Sequence, residues 1–202
     1  MADPLRDDLF GPTLRLPAGL RYEPEFLTSA EETSLLKIIE ALPLQEAQYK
    51  QFTARRRIIG FGGRYDFSSL ELLPAAPIPD WLYPLRDRAA VWAGLAPANV
   101  QHALIAEYQP GTPLGWHRDV PDFEAIVGVS LAGSCRMRFR RYPPRKPARA
   151  EFHLDLSPRS IYTMQDESRW AWQHSVSPTR QLRYSVTFRT VKPRPAATKG
   201  PS

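Results

Sequence analysis

The chain has one cysteine, Cys135. No disulfide can form within it, and a reducing compartment suits it. No apolar run reaches the roughly 20 residues that a membrane-spanning helix needs. Residues 1–20 mix acidic residues with Pro and Gly and lack a continuous apolar stretch, so they read as a loose leader and not as a signal peptide. No internal repeat is present. From Arg136 to Arg149 there is no acidic residue at all. These absences leave a soluble, cytoplasmic protein as the expectation, monomeric and without membrane association.

What is present is a basic chain of 202 residues with a formal net charge of +6. That length fits one domain with a substantial core, here residues 21–191, followed by a basic Pro/Ala-rich tail over 192–202 that reads as disordered. The positive balance favours polyanionic partners. Thr28-Ser29-Ala30-Glu31 is a capping-box pattern, and the apolar spacing after it predicts a helix to about Leu42, closed by Pro43. A strand is expected over 51–60 and a turn at Gly62-Gly63. A second helix is expected from Pro79 to about Ala93. From Gln101 onward the pattern is β, with short strands at 103–108, 115–118, 125–131, 135–141, 150–156, 160–164, 170–175 and 182–191. Helices first and strands after give an α+β class.

Three separated fragments carry the chemistry: His117-Arg118-Asp119, His174, and Arg183 through Arg189. Two imidazoles and a carboxylate are the facial ligand set of non-haem Fe(II), which leaves coordination positions open. In an extended strand, residues i and i+2 share a face, so His117 and Asp119 point the same way. The same parity puts Arg183, Ser185, Thr187 and Arg189 on one face of the last strand and Tyr184, Val186 and Phe188 on the other. A polar inner face suits a barrel or jelly roll that encloses a ligand, and two guanidinium groups there suit a dicarboxylate.

These fragments resemble the AlkB family of Fe(II)- and 2-oxoglutarate-dependent dioxygenases. The likeness runs through Leu104-Ile105-Ala106-Glu107-Tyr108-Gln109-Pro110-Gly111, Trp116-His117-Arg118-Asp119, Trp172-Gln173-His174-Ser175 and Arg183–Arg189, with a looser match at Phe61–Phe67 and Pro77–Leu82. The resemblance implies a double-stranded β-helix (jelly-roll) core with the N-terminal helices packed on one face. It implies iron on His117, Asp119 and His174. It implies 2-oxoglutarate held at its distal carboxylate by Arg183 with Tyr108, Arg189 serving the other end and Asp119, and O2 as the oxidant. Two departures stand out: Ala106 and Ser185 occupy positions where the family commonly has Asn, so the co-substrate contact is thinner unless a neighbour such as Gln101 or His102 substitutes. Pro121 also stands where some members have an acidic residue.

The reaction that the resemblance implies is oxidative demethylation of N-alkylated DNA or RNA bases, single-stranded by preference, with release of formaldehyde, succinate and CO2. An extruded base would be read by stacking, for which Tyr65 and His117 are the candidates. Core packing is the expectation for Phe61, Phe67 and Trp116. Arg55 and Arg57, with Arg140 and Arg141, are the candidate phosphate contacts. In the strand at 135–141, Cys135, Met137 and Phe139 are expected inward and Arg136, Arg138 and Arg140 outward. Two other readings stay open: the same iron chemistry on a protein side chain or small molecule, and a non-catalytic jelly-roll binding module.

Overall fold

The computed structural model describes residues 16–49, 52–66, 71–73, 75–144, 146 and 149–192; the side chains of 47–49, 52–54, 64–66 and 71–73 lie outside the description. The N-terminal part comprises β1 (Leu20–Glu23), α1 (Ser29–Ile39), β2 (Gln45–Tyr49), β3 (Phe52–Phe61), β4 (Arg64–Asp66), β5 (Glu71–Leu73) and α2 (Tyr83–Trp92). The rest begins with β6 (Val100–Tyr108), β7 (Leu114–His117), β8 (Phe123–Leu131), β9 (Cys135–Arg141) and β10 (Phe152–Leu156). It ends with β11 (Ile161–Met164), α3 (Asp166–Trp170), β12 (Trp172–Val176) and β13 (Arg183–Val191).

The strands form a major sheet in the order β1-β11-β8-β13-β6-β3-β2 and a minor sheet in the order β10-β9-β12-β7, with β4-β5 as a separate hairpin. Every described pair is antiparallel. The two large sheets face each other as a jelly roll, and α1 and α2 cover the outer side of the major sheet.

Strand parity sorts the core into two layers. Tyr184, Val186 and Phe188 of β13 meet Ile39 of α1, Leu82 and the α2 residues Leu85, Ala89 and Ala90. Between the sheets, Ile126, Met164 and Tyr162 meet Met137, Phe139, Leu156 and Trp172. Each fully buried large apolar side chain contributes about 1.5–3 kcal/mol, so both layers hold the sheets in register. The capping box forms as expected: the Glu31 amide donates to Thr28 Oγ1 at 3.2 Å, and the Thr28 amide donates to Glu31 Oε2 at 2.7 Å.

Several expectations shift. β1 lies where the leader ends, paired to β11, and the amides of Gln165 and Ser168 donate to the carbonyls of Gly19 and Ala18. The fold therefore takes in residues 18–20, and residues 1–15 lie outside the described residues. β2 has no apolar alternation and went unpredicted. Residues 166–170 form a helix where the strand was expected to begin at 170, and β12 starts at Trp172. Between them Ala171 caps the helix, its amide donating to the Glu167 carbonyl. Tail residues 193–202 lie outside the described residues.

Candidate metal and co-substrate site

The inner face of the jelly roll is built from alternate residues of β13, β6 and β3. Register pairs Arg183 with Tyr108, Ser185 with Ala106, Thr187 with Leu104 and Arg189 with His102. On the minor sheet, His117 at the end of β7 lies directly opposite His174 in β12. Directly opposed antiparallel residues bring their Cβ atoms to about 5 Å, and the two imidazole rings sit 4.2 Å apart between centroids. The ladder is irregular beyond this pair, a common device beside active sites.

Asp119 joins them by a different route from the one that strand parity suggests. β7 ends at His117, so Asp119 lies past the strand. Its carboxylate is held by Arg189, whose Nε and Nη2 both donate to Oδ1 at 3.2 and 3.1 Å. Its backbone is held by Arg169, which donates to the carbonyls of Asp119 at 3.2 Å and Val120 at 2.7 Å. Asp119 Oδ2 then lies 3.7 Å from His174 Nε2. One ligand atom from each of His117, Asp119 and His174 falls within 4.8 Å of the others.

The donor set fits a divalent cation by its protonation state. Burial holds the His117 pKa below its ordinary value. Burial, reinforced by the neighbouring His117, pushes His174 down to about 3. Asp119 stays ionised: burial opposes its charge, but Arg189 first and the two histidines after it hold its carboxyl well below the usual range. Neutral imidazoles and a carboxylate are what a metal needs. His117 Nδ1 lies 2.9 Å from the Gly115 carbonyl. Donation from Nδ1 to that oxygen leaves Nε2 with the lone pair for the metal.

Arg183 is the buried cation at the other end of the inner face. The side chain is buried at 2% exposure. Its described contacts are neutral: Nε donates to Ser130 Oγ at 3.0 Å, and the guanidinium lies 5.0 Å from the Tyr108 ring centroid. No carboxylate pairs with it among the described residues. A desolvated cation with only neutral partners is costly, and a ligand carboxylate relieves that cost. Ala106 and Ser185 prove to be cross-strand neighbours, in a row that runs Ile58, Ala106, Ser185, Ser130 across the inner face. His102 lies on the same face at the Arg189 end, its Nδ1 3.3 Å from Arg189 Nη1. Gln101 is exposed.

His102 also gives the fold a pH dependence. Burial, then Arg189, pushes it down to about 3, against about 6.5 in an unfolded chain. Between those values the unfolded chain takes up a proton that the folded one refuses. Stability therefore falls as pH drops through this window, by on the order of 1–2 kcal/mol from pH 6.5 to 5 for one such group. Urea unfolding of metal-free protein at pH 7 and pH 5 checks this. His102→Gln is expected to show a smaller loss than the parent, and equal losses would rule His102 out as the source.

The predicted substrate residues divide. Arg57 forks onto the buried Glu107 at 2.8 and 2.6 Å, on the helix side of the sheet. Its charge is matched internally. Arg141 is likewise matched by Glu167 at 3.2 Å and Glu151 at 4.0 Å. Arg55 is exposed. Arg140 donates to Gln173 at 2.9 Å and lies over the Trp116 ring. Phe61 packs in the core as expected. Trp116 does not: it is half-buried on the outer face of the minor sheet, with Arg138 and Arg140 at 5.2 and 4.4 Å from its centroid. The Tyr65 side chain and Phe67 lie outside the described residues. Cys135, Met137 and Phe139 point inward as expected. Arg169 was missed, because no spacing marks one buried Arg in a short helix.

Comparison with known proteins agrees with this geometry. The family model described as the 2OG-Fe(II) oxygenase superfamily matches residues 19–189. The chain is 28% identical over 223 residues to the "Alkylated DNA repair protein ALKBH8 homolog" of Arabidopsis thaliana, covering 93% of this chain and 62% of that protein. It thus spans under two thirds of that relative's length. It is 25% identical over 169 residues to the "Probable RNA/DNA demethylase ALKBH6" of Danio rerio, covering 79% of this chain and 70% of that one. Among solved structures, that of OsALKBH1 superposes with a TM-score of 0.70 at 16% identity, over 87% of this chain and 98% of that one. A jelly roll with two histidines, one carboxylate and a buried unmatched arginine, within a match that spans nearly the whole described fold, makes this chain a member of the 2OG-Fe(II) oxygenase superfamily, in its AlkB family.

Proposed function

We propose that this dioxygenase oxidatively demethylates N-alkylated bases in single-stranded nucleic acid. Iron and 2-oxoglutarate, when bound, supply oxidation of a substrate C–H by dioxygen, with succinate and CO2 as co-products. Arg183 and Tyr108 take the distal carboxylate of the co-substrate. Arg189 and Arg169 fix Asp119, and the Gly115 carbonyl fixes the His117 tautomer. Hydroxylation of an N-methyl carbon gives a hemiaminal, which breaks to the free base and formaldehyde. Both relatives named above carry nucleic-acid activities in their names, which supports the substrate class. A single buried cysteine suits action in a reducing compartment.

The observation that carries the reading lies on the outer face of the minor sheet, behind the strands that bear His117 and His174. Arg118, Arg138 and Arg140 have only neutral described partners: the Trp170 carbonyl at 3.1 Å, Ser175 Oγ at 3.1 Å and Gln173 Oε1 at 2.9 Å. They lie over Tyr142 and Trp116. Held but unneutralised guanidinium groups alternating with aromatic rings suit a sugar-phosphate strand. Arg57 and Arg141 drop behind these three, because their charges are matched.

The test is succinate and formaldehyde production with Fe(II) and 2-oxoglutarate, with and without single-stranded DNA or RNA carrying 1-methyladenine. Formaldehyde released in step with strand-stimulated succinate is the expected result. Neutralising Arg118, Arg138 and Arg140 together should flatten the slope of log affinity against log salt by about 2, at roughly 0.7 per phosphate contact on a single strand. Absence of any strand-dependent turnover would turn the assignment to a protein side chain or small molecule.

A further inference from the structure

We propose that Arg56 is a substrate-side anion subsite, which receives a backbone phosphate next to the base presented to the iron. The inference rests on the nucleic-acid reading for the identity of that anion.

Arg55, Arg56 and Arg57 are adjacent in sequence but not in space. Register places Arg57 against Glu107, and that pair faces the helices, where Tyr184 also donates to Glu107 at 3.2 Å. Strand parity then turns Arg56 the other way, onto the inner face with Tyr108, Arg183 and Arg189. There its Nη1 lies 3.5 Å from Tyr108 Oη, at the outer limit of a hydrogen bond. Its Nε is buried with no hydrogen-bond partner among the described residues. No carboxylate pairs with Arg56 among the described residues.

The other inner-face cations are accounted for. Arg189 is matched by Asp119, and Arg183 is suited to the distal carboxylate of 2-oxoglutarate. The co-substrate's remaining carboxylate belongs at the metal, on the Arg189 side. Among the described residues, therefore, no carboxylate is left to balance Arg56, and the co-substrate's two carboxylates have other partners. Its position is close to the co-substrate end: Tyr108, which its Nη1 approaches, is the cross-strand partner of Arg183. A buried unsatisfied N–H and an unmatched charge are both costly. A phosphate oxygen satisfies both at once, with the charge-assisted geometry that guanidinium groups favour.

The experiment compares two five-nucleotide DNA strands with one central 1-methyladenine. One has ordinary linkages. The other has uncharged methylphosphonates on both sides of the modified base. Binding is read by fluorescence anisotropy on protein loaded with Mn(II) and 2-oxoglutarate, for the parent, Arg56→Gln and Arg56→Lys, with circular dichroism confirming that each variant is folded. The parent should prefer the charged strand by about tenfold, the scale of one hydrogen bond to a charged group. Arg56→Gln should bind both strands alike, and Arg56→Lys should keep part of the preference. A full tenfold preference in Arg56→Gln overturns the subsite. So does a tenfold loss of 2-oxoglutarate affinity in that variant with the strand preference intact, which makes Arg56 a co-substrate residue. If the parent binds neither strand and releases no formaldehyde, the nucleic-acid reading fails by itself. Inorganic phosphate then decides the subsite. Inhibition of strand-free succinate formation that is non-competitive with 2-oxoglutarate, and weaker in Arg56→Gln, supports it, whereas equal or absent inhibition removes it.

Discussion

Replacing His174 with alanine is expected to lower 2-oxoglutarate turnover by well over a hundredfold while the fold survives. His117→Ala and Asp119→Ala should do the same. Losing a partner outside the coordination sphere already costs about 10–100-fold in metal affinity or activity, and these three residues are the proposed ligands. Among the described residues, no other His, Cys, Asp or Glu groups with them to replace a lost donor. The fold should tolerate the change at His117 because that residue is only half-buried. His174→Ala leaves a small gap beside Phe139, whose ring centroid is 6.3 Å from the imidazole. The measurements are succinate formation and Fe(II) binding, with the far-ultraviolet spectrum as the control for folding. Near-parental turnover in any one variant removes that residue from the ligand set. Asp119→Ala has a further expected consequence, since it leaves Arg189 buried without its carboxylate. That variant should be the least stable of the three, because breaking a buried pair costs about 3–5 kcal/mol.

Arg183→Ala is expected to weaken 2-oxoglutarate binding by about 2–5 kcal/mol, or roughly thirty- to several-thousandfold, the range for removing one member of a desolvated charge pair. Arg183 is 2% exposed, and its position is fixed by Ser130 and by pairing of β13 with both β6 and β8. The loss should therefore lie in affinity and not in folding. Arg183→Lys keeps the charge but loses the planar fork and the Ser130 bond from Nε, so it should fall between the parent and the alanine variant. Titration with 2-oxoglutarate in the presence of Mn(II), followed by intrinsic tryptophan fluorescence, measures this directly. An unchanged affinity in both variants would show that the dicarboxylate binds elsewhere. Cys135 sits near this end of the site, and burial raises its thiol pKa, so it stays a protonated packing group and does not compete for the metal.

How much could be read in advance is clearest in β13. Its alternation of Arg, Ser, Thr and Arg with Tyr, Val and Phe has period two, so the two faces separate on the page as they do in space. The α1 capping box was legible because its partners are three residues apart. The metal ligands were legible as types, but the reason that Asp119 converges with the histidines was not. Strand parity suggests the alignment, yet β7 stops at His117, and the alignment comes from Arg189, 70 residues away. β1 was hidden because four residues carry too little pattern, and its strand character comes from pairing with β11. Trp116 was misjudged because an aromatic residue in an apolar context is usually buried. Here the ring lies on an outer sheet face, partly covered by two arginines.

The sequence by itself determined the kind of chemistry: two imidazoles and a carboxylate suited to iron, and guanidinium groups on one strand face suited to a dicarboxylate. These follow from residue types and from spacings within single strands, which local geometry fixes. The tertiary structure alone decided which charges are free. Arg57 and Arg141 are matched by carboxylates, while Arg56, Arg118, Arg138, Arg140 and Arg183 have neutral partners or none among the described residues. Parity says that Arg56 and Arg57 point oppositely, but only the register of β3 on β6 says which of them faces the metal. That register is set by packing across the sheet between residues about 50 positions apart in the chain, and no local pattern encodes it.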